Sequence, residues 1–481
     1  MERNYNRMQW RMLFATMIGY TLFYFLRKNF SFAMPGLEQD CGLSKSMLGN
    51  FLFAGGLAYG LSKFLNGFIG DRVSPRKMLC SGLLTCSLIG AALGFAPRIA
   101  ALFAEGPVAL AWTFGILFVL SQFFQGTGFP PCAKLIAYWV RPSELATKMS
   151  LWNTSQSIGG GLGSRICGLL MGLGVIGAAN QGVGMWRWCF WTMAALGVIG
   201  AAALWFALPG TPEEEGFGKP AANAATRPEA AGTAAEARPS VVQTVFLNPV
   251  IWILGLSNFM INATRALVSD WGPTLLQEAK HFTPTGAGRV IMWFEFAGVA
   301  GTLFAGWATD AFFGGRAQRI CVFLMALTAL ALATFWFLPG AGAGRIAGAF
   351  ALCAAGFCLY GPQALTGVAA VGFCSKSLAG TSIGFLSLFS YIGASAAGKV
   401  CGVMAQNTGH WQLPVLTIAG AASLGSVLFL PIWNFNAVRT EPSLPCGTGG
   451  GNDSFDDSGR PGNRRGASGT YAKENGYKLE E

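Results

Sequence analysis

The sequence predicts an all-α membrane protein with twelve transmembrane helices in two pseudo-symmetric six-helix halves. Three observations carry this. The 481 residues are 52% hydrophobic and only 11% charged, where a soluble protein carries about 25% charged residues. The apolar residues gather into twelve runs, most of them near the ~20 residues that a helix needs to cross a bilayer. The second half of the chain also repeats the first. Gly67-Phe68-Ile69-Gly70-Asp71 recurs as Gly306-Trp307-Ala308-Thr309-Asp310, 239 residues later. Ser157-Ile158-Gly159, with Arg165-Ile166-Cys167-Gly168, recurs as Tyr391-Ile392-Gly393, with Lys399-Val400-Cys401-Gly402, 234 residues later.

The first run, Met12–Met34, follows Arg3, Arg7 and Arg11 and is too long for the apolar core of a signal peptide, so it stays as a helix. Met47–Gly70 ends at the basic turn Asp71–Lys77, from which Met78–Phe95 leads back. Ala109–Ala137, Ala146–Leu173 and Trp186–Leu208 complete the first half. Pro209–Ser240, rich in Pro, Ala and Glu, reads as a flexible linker. The second half runs through Val250–Thr274, Val290–Thr309, Ile320–Leu338, Ile346–Phe373, Ala379–Ala405 and Leu413–Phe435. Beyond Arg439 the chain is Gly, Ser, Asn and charge, the composition of a disordered tail. The expected units are bundles at 1–208 and 241–438, a cytoplasmic linker at 209–240 and a cytoplasmic tail at 439–481. Twelve basic residues fall in the loops on the N-terminal side of the membrane against six on the other, which predicts both termini in the cytoplasm.

Charges inside the runs mark the candidate site. Arg27 and Lys28 lie about fifteen residues into the first run, and Arg265 lies at the same depth in the seventh. A cation at that depth costs several kcal/mol unless it faces a wet cavity or a counter-charge, and the arginine fork is well matched to phosphate. Two parallel repeats with an arginine at matching depth is the layout of a transporter whose site lies between the halves. Lys63 joins these cations, and Asp270 and Glu295 are the in-span carboxylates, which leaves the cluster at +2. A phosphate monoester carries about −1.5 to −2 at neutral pH and would nearly neutralise it. Tyr20 and Tyr24 share a helix face, as do Tyr59 and Lys63. Phenols can donate to phosphate or sugar oxygens, and they also serve as interfacial anchors.

Other classes are excluded. The net charge of +11 is not gathered on one polar surface, as nucleic-acid binding needs. The twelve cysteines are scattered through the spans without metal-ligand spacing. The two histidines, His281 and His410, fall in loops, and no nucleotide-binding glycine loop is present. No enzyme, cofactor or metal is expected. Asp71, Arg72 and Arg76, with Asp310 and Arg316 at the repeated place, form a candidate latch across the inner face, the alternative being topological bias alone. Arg165 and Lys399 occupy matching positions among small residues, as a vestibule for anions or as side chains that snorkel to the interface. Nine residues at about 100° each set Arg165 on the opposite helix face from Gln156.

Tyr20-x-x-x-Tyr24-x-x-Arg27-Lys28, Tyr59-Gly60-Leu61-Ser62-Lys63-Phe64, Gly128-Phe129-Pro130-Pro131-Cys132, Trp152-Asn153 through Gly161 and Arg265 with Asp270-Trp271 resemble the organophosphate:phosphate antiporters of the major facilitator superfamily. The likeness runs from about Trp10 to Val438. It implies that Arg27 and Arg265 are paired phosphate-binding arginines, with Lys63, Tyr20, Tyr24, Tyr59, Tyr360 and Tyr391 around the substrate. It also implies that Lys28, Asp270 and Glu295 form an ion-pair network that rearranges as the cavity changes sides.

Gln156 stands where glycerol-3-phosphate carriers have a histidine, and Asn262 where they have a tyrosine. The stretches Tyr360–Ala370 and Leu388–Ser395 are closer to the hexose-phosphate branch, which includes a membrane sensor. The expected protein is a monomeric inner-membrane antiporter exchanging a hexose 6-phosphate for inorganic phosphate. The alternatives are a glycerol-3-phosphate:phosphate antiporter and a transporter-like sensor of hexose phosphate.

Overall fold

The structure, a computed structural model, describes residues 2–104, 106–177, 184–217, 246–372 and 379–434. All regular elements among them are helices: α1 (Glu2–Cys41), α2 (Lys45–Arg72), α3 (Pro75–Gly94), α4 (Ala96–Ala101), α5 (Pro107–Gln125), α6 (Phe129–Trp139), α7 (Pro142–Gly177) and α8 (Trp186–Ala207), then α9 (Pro249–Asp270), α10 (Gly272–Lys280), α11 (Pro284–Phe313), α12 (Ala317–Phe337), α13 (Gly342–Gly372), α14 (Ala379–Thr408) and α15 (Gln412–Leu428). Nine stretches among the described residues are long and apolar enough to cross a membrane. Outside these nine stand α1, α2 and α7, with 40, 28 and 36 residues. At about 1.5 Å per residue each exceeds the hydrocarbon core, and these three carry Arg27, Lys28, Lys63 and Arg165.

The helices begin where short polar side chains satisfy free amides. Ser44 accepts from the Met47 amide, Ser74 from Lys77 and Thr283 from Gly286. Two predicted spans are broken. The fourth divides into α5 and α6 at Gly126–Gly128, because Pro130 and Pro131 bring no amide to the ladder and can only open a new helix. The break has a second cause: a Cβ on Gly126 would lie 2.9 Å from the Lys63 backbone nitrogen, so α2 passes directly over it. The seventh span divides at Trp271, and Pro273 opens α10. The described part of the expected linker, residues 209–217, packs on the first half. Trp139 Nε1 donates to the Gly210 carbonyl at 2.9 Å, and Phe217 packs edge-on against Trp139 and Tyr5. Residues 218–240, Lys376, Arg439 and the expected tail lie outside the described residues.

The two halves meet at the end of the bundle away from the N-terminus, called here the far end. α2 packs along α14 and α7 along α11. The approach there admits only glycine: a Cβ on Gly168 would lie 2.7 Å from the Pro284 carbonyl and 2.9 Å from Gly288. At the opposite, terminal end a cavity opens between the halves, edged by the exposed Asn153 and Ile383. A Cβ on Gly367 or Gly384 would meet nothing there.

Candidate functional site

The cavity lies between α1, α2 and α7 of the first half and α9, α13 and α14 of the second. Its terminal-end part has a volume of about 350 Å³, within the range of small-molecule sites. The in-span cations form its deep layer. Arg27 lies over the Tyr59 ring at 4.1 Å and the Tyr24 ring at 5.0 Å. Its Nε donates to Gln125 Oε1 at 2.9 Å, at the end of α5 where the helix breaks. Arg265 repeats this arrangement: it lies over Tyr360 at 4.7 Å, and its Nε donates to the Tyr360 hydroxyl at 3.1 Å. Each arginine is held through Nε by a residue of the fourth span of its own half. Both guanidinium groups line the cavity, where a planar fork can meet an anion with two N–H groups at once.

Lys63 Nζ donates to the Tyr391 hydroxyl at 2.8 Å and sits 4.3 Å over the Phe129 ring, so a cation of the first half is tied to a phenol of the second. Tyr59 meets Tyr391 edge-on at 5.2 Å. Tyr24 donates to Gln156 Oε1 at 3.1 Å, and Tyr20 stacks at 4.6 Å on Trp152. Asn262 donates to the Asn258 side chain at 3.0 Å, and Asn258 donates to Ser390 Oγ at 2.6 Å, a polar chain from α9 to α14. Nine of the ten substrate-facing candidates from the sequence border this cavity, and the tenth, Tyr360, hydrogen-bonds Arg265 behind it.

The carboxylates divide unequally. Glu295 is fully buried, 3.1 Å from Lys28 Nζ and 3.6 Å from Arg265, and it accepts a short hydrogen bond from Tyr360. Lys28 belongs to the first half, so this pair bridges the halves, helped by Ser31 donating to the Ser269 carbonyl at 3.2 Å. Asp270 lines the cavity and forms no ion pair among the described residues.

The proposed latch charges are not joined. Arg72 and Asp310 are exposed, Arg76 and Arg316 half-buried, and no ion pair links these four among the described residues. Asp71 lies in the last turn of α2, and its side chain lies outside the described set. Arg165 and Lys399 do not line the cavity. Lys399 is exposed and lies 5.3 Å over the Phe53 ring, as the snorkelling alternative expects, while Arg165 keeps one buried nitrogen without a hydrogen bond.

Two features escaped the sequence reading. Gln125 and Gln363 are 238 residues apart, the same offset as Arg27 and Arg265, so the internal repeat itself could have revealed them. The other feature is a far-end lock. Lys45 of α2 pairs with Glu38 of α1 at 2.7 Å and with Glu278 of α10 at 3.1 Å. Glu278 accepts from Trp411 Nε1 at 2.8 Å, and Gln406 accepts from the Lys45 amide at 3.0 Å. Burial alone would lower the Lys45 pKa, but the two carboxylates outweigh it and raise it.

Residues 16–398 match the Major Facilitator Superfamily. The chain is 32% identical to a glycerol-3-phosphate transporter of Bacillus subtilis, over 90% of this chain and 94% of that one. It is 30% identical to the membrane sensor protein UhpC of Escherichia coli, over 89% and 94%. It is also 30% identical to a probable hexose phosphate transport protein of Chlamydia pneumoniae, over 91% and 94%. The fold superposes on a D-xylose–proton symporter with a TM-score of 0.66 at 16% identity, covering 88% of this chain and 97% of that one.

Proposed function

For a chain that belongs to the organophosphate transporter family of the major facilitator superfamily, and so is an integral membrane transporter rather than an enzyme, we propose exchange of a hexose 6-phosphate for inorganic phosphate by alternating access. The observation that carries it is the pair of arginines lining one cavity, each oriented by a hydrogen bond from its Nε, the residue type best matched to phosphate. The layer of Arg27, Lys28, Lys63 and Arg265 against Asp270 and Glu295 leaves an empty cavity with unbalanced positive charge. A bound phosphate removes that imbalance and makes passage through a closed intermediate accessible, so one phosphate compound replaces another.

In this reading the termini are cytoplasmic, the plasma membrane is the site, the protein acts as a monomer, and the cavity faces inward. Gln156 and Asn262, in place of the histidine and tyrosine of glycerol-3-phosphate carriers, favour the hexose branch. Radiolabelled phosphate uptake into phosphate-loaded proteoliposomes, competed with sugar phosphates, tests the proposal. Saturable competition with fast exchange is expected, and flux that follows a proton gradient instead would overturn it. The identity shared with UhpC sustains a second reading, a sensor, which would bind sugar phosphate without exchanging it.

A further inference from the structure

We propose that Gln363 reads a hydroxyl group on the body of the substrate. The inference rests on the cationic layer being the phosphate site, and it adds the group that recognises the rest of the molecule. Gln363 lines the cavity on α13, yet its Oε1 is buried and accepts no hydrogen bond. A carbonyl oxygen shielded from water and left without a donor is unfavourable, and native structures keep few of them. A turn of the side chain toward the cavity that the residue lines would bring this oxygen to a ligand hydroxyl, which would supply the missing donor.

The internal repeat explains why this amide is free. Gln125, its counterpart in the first half, is held by Arg27. In the second half Tyr360 takes the equivalent bond from Arg265, which releases Gln363, three residues further along α13. That is about 4.5 Å along the helix axis, toward the terminal end, where the body of a molecule whose phosphate lies at Arg265 would extend. Asn153, Asn258, Thr366 and Ser387 line the same part of the cavity, among the cations Arg27, Lys63 and Arg265 and the apolar Phe129, Ile383 and Leu386. The amides and hydroxyls of these four side chains both donate and accept, as sugar hydroxyls do.

The test is displacement of radiolabelled inorganic phosphate from the purified full-length protein, which serves a transporter and a sensor equally. In the unaltered protein, glucose 6-phosphate and its monodeoxy analogues are compared, and at least one deoxy position is expected to bind about tenfold more weakly. In Gln363→Met, which keeps side-chain length, glucose 6-phosphate should weaken about tenfold, displacement by unlabelled phosphate should be unchanged, and the sensitivity to that deoxy position should vanish. Deoxy analogues that all bind as glucose 6-phosphate does would overturn the inference without any variant. Equal weakening of phosphate and glucose 6-phosphate in Gln363→Met would assign the residue to structure instead. Failure of the unaltered protein to bind phosphate at all would overturn the phosphate site, and the inference with it.

Discussion

Gln125 accepts a hydrogen bond of 2.9 Å from Nε of Arg27, across the break between α5 and α6. The bond fixes the plane of the guanidinium, because Nε lies in that plane. Gln125→Leu keeps the volume and removes the acceptor. Arg27 would then sample more orientations, and the entropy of ordering it would be lost at each binding event. The expected result is a roughly tenfold weaker phosphate affinity, about 1.4 kcal/mol, with an unchanged melting temperature. An unaltered affinity would remove Gln125 from the site.

Arg27→Lys and Arg265→Lys each keep a charge and lose the planar fork. Lysine has no Nε donor for Gln125 or Tyr360, and its point charge cannot form the paired contact to phosphate. Both variants should fold, insert in the membrane and lose exchange. Near-normal phosphate self-exchange by either would refute the two-arginine site.

Lys28 and Glu295 form a fully buried pair across the halves, with side-chain exposures of 5% and 0%. Removing one partner leaves a buried charge, a change that costs about 3–5 kcal/mol, whereas removing both costs far less. Glu295→Gln and Lys28→Met should each lower the melting temperature and slow exchange. The double variant should recover most of the stability and little of the exchange. A double variant no more stable than the singles would mean that the two groups are not coupled.

Lys45 holds the far end closed through Glu38 on its own half and Glu278 on the other. The carboxylates raise its pKa, so the folded form keeps its proton to higher pH than a free lysine does. The stabilisation is complete below the ordinary lysine value, and is lost only as pH rises through the raised one. The lock should therefore be insensitive to pH between 6 and 9, on the order of the lysine value less a unit or more. Lys45→Met should weaken it by about 1 kcal/mol and raise the fraction of molecules open at the far end. Cys401, now buried beside Gly402, which itself abuts Lys45, then becomes several-fold more reactive toward a thiol reagent added on that side. In a chain whose other cysteines have been replaced, unchanged labelling of Cys401 would show that the triad is not a lock.

The helices were legible because a bilayer leaves a chain little choice. A backbone in hydrocarbon must satisfy its own hydrogen bonds, so apolar runs of the right length become helices whatever surrounds them. The cost of burying Arg27, Lys28 and Arg265 likewise marked the site from sequence alone, and the repeat placed its two halves opposite one another. What the sequence could not decide were relations between residues far apart in the chain. Nothing in the sequence says that Glu295, rather than Asp270, takes Lys28, since both carboxylates were equally eligible until the halves were packed. Nothing says that Tyr360 takes the bond to arginine that Gln125 takes in the other half, which leaves the Gln363 amide oxygen without a donor. The close passage of α2 over Gly126 appears only in the packed fold, and Lys45 read as a loop cation until Glu278 was brought to it from 233 residues away. Local composition fixes whether a segment crosses the membrane, because the solvent acts on each residue separately. Partner choice is a competition between contacts, and only the packed fold settles it.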